Sequence, residues 1–265
     1  MQVAVIGAGV IGVSTAYFLA EAGHEVVVIE RHNNVAEEAS YGDSGILAAS
    51  SIAPWAAPGV PRSFLSHLLK SEAPVLLNQP WRPSMLGWMR RWMKEADIER
   101  YRINRERMQR IGFYSRDIMQ MLRERHQLDY EQTPGYLQLF RTERDLQLAK
   151  TSFDYLSEHN IPHQLLDAGQ AHAIDSALNP NTPLAGALYL PEDEAGNCPL
   201  FTRQIRAQAQ AMGVEFHFGS EVKSIEESKR GVHLQIDDHS FSAECVVVAG
   251  GADSAKLLTP LGLHL

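Results

Sequence analysis

The chain has 265 residues, enough for one large domain or two closely joined ones. Its 45% hydrophobic and 21% charged residues exclude an intrinsically disordered protein, and its two cysteines, Cys198 and Cys245, have no CxxC or metal-ligand spacing, so neither a disulfide framework nor a zinc site is expected. The net charge of −8 is uneven: Trp81–Arg110 holds nine Lys/Arg against four Asp/Glu, or +5, which leaves −13 elsewhere, and no nucleic-acid partner is expected.

Val3 to Ala20 is a run of 18 residues without a charge, long enough to suggest a membrane span or signal peptide. No Lys or Arg precedes Arg31, and the run divides at three glycines. Gln2–Ile6 reads as a buried strand, Val10–Ala22 as a helix ending at Gly23, and Glu25–Ile29 as a second strand. The junction, Gly7-Ala8-Gly9-Val10-Ile11-Gly12, has the GxGxxG form. Gly7 permits the tight turn, Gly9 lets the backbone approach a pyrophosphate, and Gly12 lets the helix lie close to the sheet. The free N–H groups at Val10 and Ile11 and the helix dipole suit a phosphate. Glu30 lies 18 residues after Gly12, at the offset of an acid that takes a ribose hydroxyl. It points to FAD or NAD rather than NADP. Arg31 is either a second contact or a solvated loop residue.

After Glu30 the strand–helix alternation stops. Asn33–Pro61 is rich in Ala, Ser, Gly and Pro and reads as a long loop that wraps a ligand. Within it, Ser40-Tyr41-Gly42-Asp43-Ser44-Gly45 offers small residues and hydroxyls to a pyrophosphate or a flat ring. Helices are expected through Met85–Ala96 and Met108–Leu122 from apolar residues at steps of three and four. Trp81, Trp88 and Trp92 stand in the basic segment beside Arg90, Arg91 and Lys94. They read either as anchors on an anionic lipid surface or as core of the inserted domain. Strands at Tyr136–Phe140, His163–Leu166 and Gly186–Leu190 and a helix at Glu143–Glu158 complete an inserted, mixed region.

The alternation then returns. Pro199 suits the first turn of a helix that ends at Gly213. Strands follow at Val214–Phe218, Glu221–Glu226, Gly231–Ile236 and Ser240–Ala249, the last apolar enough for a sheet interior and followed by Gly250-Gly251. Ligands collect at the carboxyl ends of such strands. No metal, triad or P-loop spacing is present, and no catalytic residue is assigned.

These residues resemble the bacterial D-amino acid dehydrogenase small-subunit family, in the glycine oxidase and D-amino acid oxidase class of flavoenzymes, across essentially the whole chain. The glycine motif through Glu30-Arg31 is common to the class. More distinctive are Ala53-Pro54-Trp55-Ala56-Ala57-Pro58-Gly59-Val60-Pro61, Leu137-Gln138-Leu139-Phe140-Arg141-Thr142-Glu143 and Pro191-Glu192-Asp193-Glu194-Ala195-Gly196-Asn197-Cys198.

The resemblance implies an α/β fold: a Rossmann-like, glutathione-reductase-type FAD domain from 1–62 and 191–265, with residues 63–190 as part of an inserted α+β substrate domain. It implies FAD held by Gly7, Gly9, Gly12 and Glu30 at the ADP end, Ser40 and Gly45 along the pyrophosphate and flavin, Val222 at the adenine, and Gly250 and Gly251 toward the flavin. Asp43 stands where the family has Asn, and a carboxylate there would repel a pyrophosphate unless paired. The implied reaction is oxidative deamination of a small D-amino acid such as D-alanine to a 2-oxo acid and ammonia, with electrons passed to a quinone-type acceptor of the respiratory chain. A cytoplasmic location, peripheral on the inner membrane, goes with it. The rivals are an oxygen-using glycine or sarcosine oxidase and an inactive fragment. Family members run well beyond Leu265, so the 265-residue chain is expected to be incomplete at its C-terminus, inactive and poorly soluble, with Leu257–Leu265 lacking anything to pack against.

Overall fold

The uncharged N-terminal run divides where its glycines fall. In a computed structural model that describes residues 1–58, 60, 83–229 and 231–264, the elements in chain order begin with β1 (Gln2–Ile6), α1 (Val10–Glu21), β2 (Glu25–Ile29), β3 (Ile46–Leu47), α2 (Pro83–Glu95), α3 (Ile98–His126), β4 (Thr133–Phe140) and α4 (Glu143–Glu158). There follow β5 (Gln164–Leu166), α5 (Ala168–Ile174), β6 (Gly186–Ala195), α6 (Cys198–Ala211), β7 (Glu215–His217), β8 (Val222–Ser228), β9 (Gly231–Ile236), β10 (His239–Ala243), β11 (Cys245–Val248) and α7 (Ser254–Leu258). Among the described residues no helix is long and apolar enough to cross a membrane.

The chain forms two compact units. The first comprises residues 1–46, 122–133 and 195–265, and the second 47–121 and 134–194. The boundaries differ from those expected at 62 and 191. Residues 47–58 go with the second unit, and the end of α3 with the segment up to Thr133 goes with the first.

The first unit is built on a parallel sheet of order β11-β1-β2-β7. Ala4 stands opposite Val27 on one side and Val246 on the other. Alternation along the strands splits their side chains between two faces. Ala4, Ile6, Val27 and Ile29 join Val222, Ile225, Leu234 and Ile236 of the antiparallel sheet β8–β9–β10 in one apolar cluster. Val3, Val5, Val26 and Val28, also buried, point to the other face, where α1 lies against β1 and β2 and packs on α6. Burial on both faces is why these strands read as continuous apolar runs. Each fully buried Val, Leu or Ile side chain contributes roughly 1.5–3 kcal/mol.

Two expectations change here. Ser240–Ala249 is two strands, not one: β10 pairs antiparallel with β9, and β11 pairs parallel with β1. The chain changes sheets at Glu244, whose N–H donates to the Gln2 carbonyl at 3.0 Å and whose side chain accepts the Gln2 N–H at 2.8 Å. That reciprocal pair satisfies the backbone at the switch. The apolar end also has a partner, because Leu257 and Leu261 pack against the cluster formed by the two sheets.

In the second unit β6 is central to the order β3-β6-β4, with β5 antiparallel to β6. Phe140, Phe153, Leu156, Ile161, Leu188 and Leu190 form its apolar cluster. The Thr142 side chain caps α4 by accepting the Asp145 N–H, and Asp167 and Gln170 form a capping box on α5, a short helix the apolar pattern alone did not reveal.

Candidate functional site: a cleft at the carboxyl ends of the parallel strands

Ile6, Ile29 and Val248, at the carboxyl ends of β1, β2 and β11, line a cleft of about 560 Å³. The chain leaves β1 at Gly7, whose φ of +103° suits only glycine, and turns directly into α1. A side chain on Gly7 would lie 2.6 Å from the Ala249 carbonyl oxygen, and one on Gly12 would lie 1.9 Å from the Gly7 carbonyl oxygen. The close approach of helix to turn therefore requires both glycines.

Glu30 sits at the end of β2 and is buried. Its Oε2 accepts the Ala8 N–H at 2.6 Å and its Oε1 accepts the His32 N–H at 2.8 Å. The carboxylate thus pins the turn of the glycine motif while lining the cleft. Gly9, the residue before α1, has no side chain to cap the helix. The Ser40 hydroxyl takes that place from 30 residues away and accepts the Val10 N–H at 3.0 Å.

The cations around the cleft are paired. Arg31 donates to Glu38, and to Asp253 at 2.9 Å. Both contacts hold its guanidinium above its already high value. Hydrogen bonds from His32 and Arg31 keep the Glu38 carboxyl below the usual range, and Lys256 (at 2.5 Å) and Arg31 do the same for Asp253. Lys223 pairs with Glu221. Among the described residues, the arginine and both lysines at the cleft are spoken for by acids, a poor setting for an extra ribose phosphate. The α1 N-terminus and its amides remain the anion-attracting feature.

The cleft brings together Gly7, Gly9, Ile11, Glu30, Arg31, Ser40, Val222, Gly250 and Gly251 of the residues singled out in the sequence. Val10 and Gly12, in the first turn of α1, do not line it. Asp43 lines a second, open cleft of about 700 Å³ with Tyr41, Glu131, Asn197, Cys198 and Arg203. Its Oδ1 accepts the Gly45 N–H at 2.7 Å. Gly45 lines neither cleft, but its carbonyl accepts the Gly196 N–H at 2.8 Å. The sequence reading missed His32, Glu38, Lys223, Asp253 and Lys256. Position is the available signal for His32, Lys223 and Asp253, which stand within five residues of a β2, β8 or β11 terminus, whereas Glu38 and Lys256 lie eight or nine residues beyond β2 and β11.

The family described as FAD dependent oxidoreductase (DAO) matches residues 2–265. A D-amino acid dehydrogenase of Vibrio cholerae serotype O1 (strain M66-2) is 35% identical over all of the chain and 64% of its own length. One from Rhizorhabdus wittichii is 38% identical with the same coverage. Among solved structures, glycine oxidase from Geobacillus kaustophilus aligns over the whole chain and 59% of its own, with a TM-score of 0.72 and 25% identity. The chain thus spans slightly less than two thirds of the curated relatives it matches. A parallel sheet with a glycine turn, an acid at the end of β2 and a match along almost every residue lead to one assignment: the chain belongs to the DAO family of FAD-dependent oxidoreductases.

Proposed function

We propose that the first cleft receives the adenosine-diphosphate half of FAD and that the protein oxidises D-amino acids. The observation that carries the cofactor assignment is the convergence on one cleft of the Glu30 carboxylate and the α1 N-terminus. In this reading Glu30 meets the ribose. Gly7 and Gly9, with the Ile11 amide, meet the pyrophosphate, while Gly12 keeps α1 close to the turn and Val10 ties that turn to Ser40. The Val222 backbone meets the adenine, and Arg31 flanks it. Ser40 and Gly45 lie along the pyrophosphate and flavin, Asp43 beside the pyrophosphate, and Gly250 and Gly251 toward the flavin. FAD, when bound, supplies the electron acceptor. Absorbance of the purified chain reconstituted with FAD tests this, and saturable NAD binding without flavin bands would overturn it.

The substrate reading rests on 35–38% identity to D-amino acid dehydrogenases across the whole chain. A small D-amino acid such as D-alanine would lose two electrons and two protons to give an imine, which water converts to a 2-oxo acid and ammonia. Electrons would go to a quinone-type acceptor. Dye-linked D-alanine oxidation without hydrogen peroxide is the expected result. Stoichiometric peroxide would favour an oxygen-using enzyme, the alternative raised by the similarity to glycine oxidase.

A peripheral site on the inner face of the bacterial inner membrane is part of the same proposal. In α2, Trp88 and Trp92 stack at 6.0 Å, and Leu86, Trp88 and Met93 are exposed beside Arg90, Arg91 and Lys94. Apolar and aromatic groups beside cations suit an anionic lipid surface. Trp81 lies outside the described residues. Salt-sensitive co-sedimentation with anionic vesicles is expected, and its absence would leave these tryptophans a packing role only.

A further inference from the structure

Arg206 lies on α6 and lines neither cleft. Its guanidinium carbon sits 4.6 Å from the Phe218 ring centre and 5.6 Å from that of Phe216, two rings that stack on each other. Its Nη1 donates to Asn34 Oδ1 at 3.3 Å. Its Nε is buried and has no hydrogen-bond partner among the described residues, and no carboxylate there forms an ion pair with it. A half-buried guanidinium without an acid is costly to keep, and a leucine would pack on the two rings without that cost. What the guanidinium adds is its hold on Asn34.

Asn34 opens the segment that runs to Ser40. Its Oδ1 also accepts the Val35 N–H at 2.9 Å, so the amide is fixed from two sides. Val35 and Ala36 are buried, and Ala36 has a φ of +58°, the left-handed region an alanine rarely adopts. Such a conformation persists only where its surroundings impose it. The Ala36 N–H donates to the Ala8 carbonyl at 3.0 Å, and Ala8 in turn donates to Glu30. Four residues on, Ser40 receives the Val10 N–H. The segment therefore touches the Gly7–Gly12 turn at two points and is itself gripped by Arg206.

We propose that Arg206 is a positioning residue for the cofactor: through Asn34 it holds the strained 34–40 segment on the Gly7–Gly12 turn and so sets the affinity for FAD. The proposal rests on the reading of the first cleft as the FAD site. The test compares the parent with Arg206→Leu, Arg206→Lys, Asn34→Ala and the double variant Arg206→Leu/Asn34→Ala. FAD dissociation constants are read by flavin fluorescence. Hydrogen exchange of the FAD-free chain is read at the Val10 and Ala36 amides. Arg206→Leu is expected to weaken FAD binding about 10-fold or more, the size of one hydrogen bond to a charged group. Its Ala36 and Val10 amides exchange correspondingly faster, with the far-UV spectrum unchanged. The double variant is expected to bind no worse than the weaker single one, because both changes break one link. Arg206→Lys, which lacks the planar fork, falls between. Unchanged FAD affinity with unchanged amide protection in Arg206→Leu, or strictly additive losses, would overturn the proposal. If Arg206→Leu does not fold, Arg206→Lys and Asn34→Ala carry the same comparison. A parent chain that binds no FAD overturns the functional reading, while the exchange measurement still decides the clamp.

Discussion

The Ala8 N–H donates to Glu30 Oε2 at 2.6 Å, so the acid that closes β2 also holds the turn that follows β1. One carboxylate serves both as a bracing group and as a lining group of the cleft. Its two oxygens each take one backbone N–H, which leaves lone pairs for a ribose hydroxyl.

Glu30→Gln should therefore cost more than one ribose contact. An amide can offer only one acceptor oxygen, so its NH2 would face either the Ala8 or the His32 N–H, donor against donor. A loss of FAD affinity of about 10-fold or more is expected, from ~1.5–3 kcal/mol per hydrogen bond to a charged group. Titration of the variant with FAD checks this, and parent-like affinity would remove the bracing role.

A second expectation concerns Gly9. A Cβ there would stand 3.1 Å from the Ser40 hydroxyl. Gly9→Val should displace Ser40 from the Val10 N–H and block approach to the turn. Flavin retention should be lost while the far-UV circular dichroism stays close to the parent's, since the sheet and α1 remain. Retained flavin would show that the pyrophosphate lies elsewhere.

Asp193 supplies a pH test in the second unit. Burial pushes its carboxyl above the usual range, opposed by the Ser50 N–H, which it accepts at 3.0 Å, and by Arg116, with Glu192 adding to the rise. Gln109, whose Nε2 donates to the Ser50 carbonyl, completes the group. Asp193 Oδ2, Gln109 Oε1 and Ser50 Oγ have no partner among the described residues. A carboxyl raised in the folded state holds its proton more tightly there than in the unfolded chain. Its contribution to stability is full below the unfolded carboxyl value of about 3.9 and is lost as pH rises through the raised folded value. Asp193→Asn keeps the acceptor for Ser50 and adds a donor. Its Tm should exceed the parent's near pH 7.5 and approach it near pH 4. An equal difference at both values would mean that Asp193 does not titrate in this range.

Asp43 and Cys198 share the second cleft. Burial pushes the Cys198 thiol up, the Asp43 charge adds to this, and Thr202 opposes it. Asp43→Asn removes the charge and should raise thiolate content. In a Cys245→Ser background, which removes the exposed second thiol, Cys198 should react with a disulfide reagent about fivefold faster at pH 7.5. That corresponds to ~1 kcal/mol, the size of one charge interaction in a water-facing site. No acceleration would show that Asp43 does not act on this thiol.

The sequence by itself determined what depends on neighbours along the chain. The β1–α1–β2 unit was legible because strand, glycine turn, helix and acid follow one another within thirty residues, and each has a local signature in Gly7, Gly12 and Glu30. Helix Glu143–Glu158 was likewise expected from the sequence at the bounds it has. Tertiary structure decided what depends on distant partners. The split of Ser240–Ala249 follows from Gln2, more than two hundred residues away, which takes Glu244 and so pulls β11 onto β1. An apolar run carries no mark of which sheet it joins. The packing of Leu257 and Leu261 needed the β8–β10 sheet beneath them. Ser40 as the cap of α1, and Arg206 as the hold on Asn34, likewise join residues whose sequence separation leaves no periodic trace. Hydrogen bonds between side chain and backbone are set by positions in space, and only the folded chain fixes those.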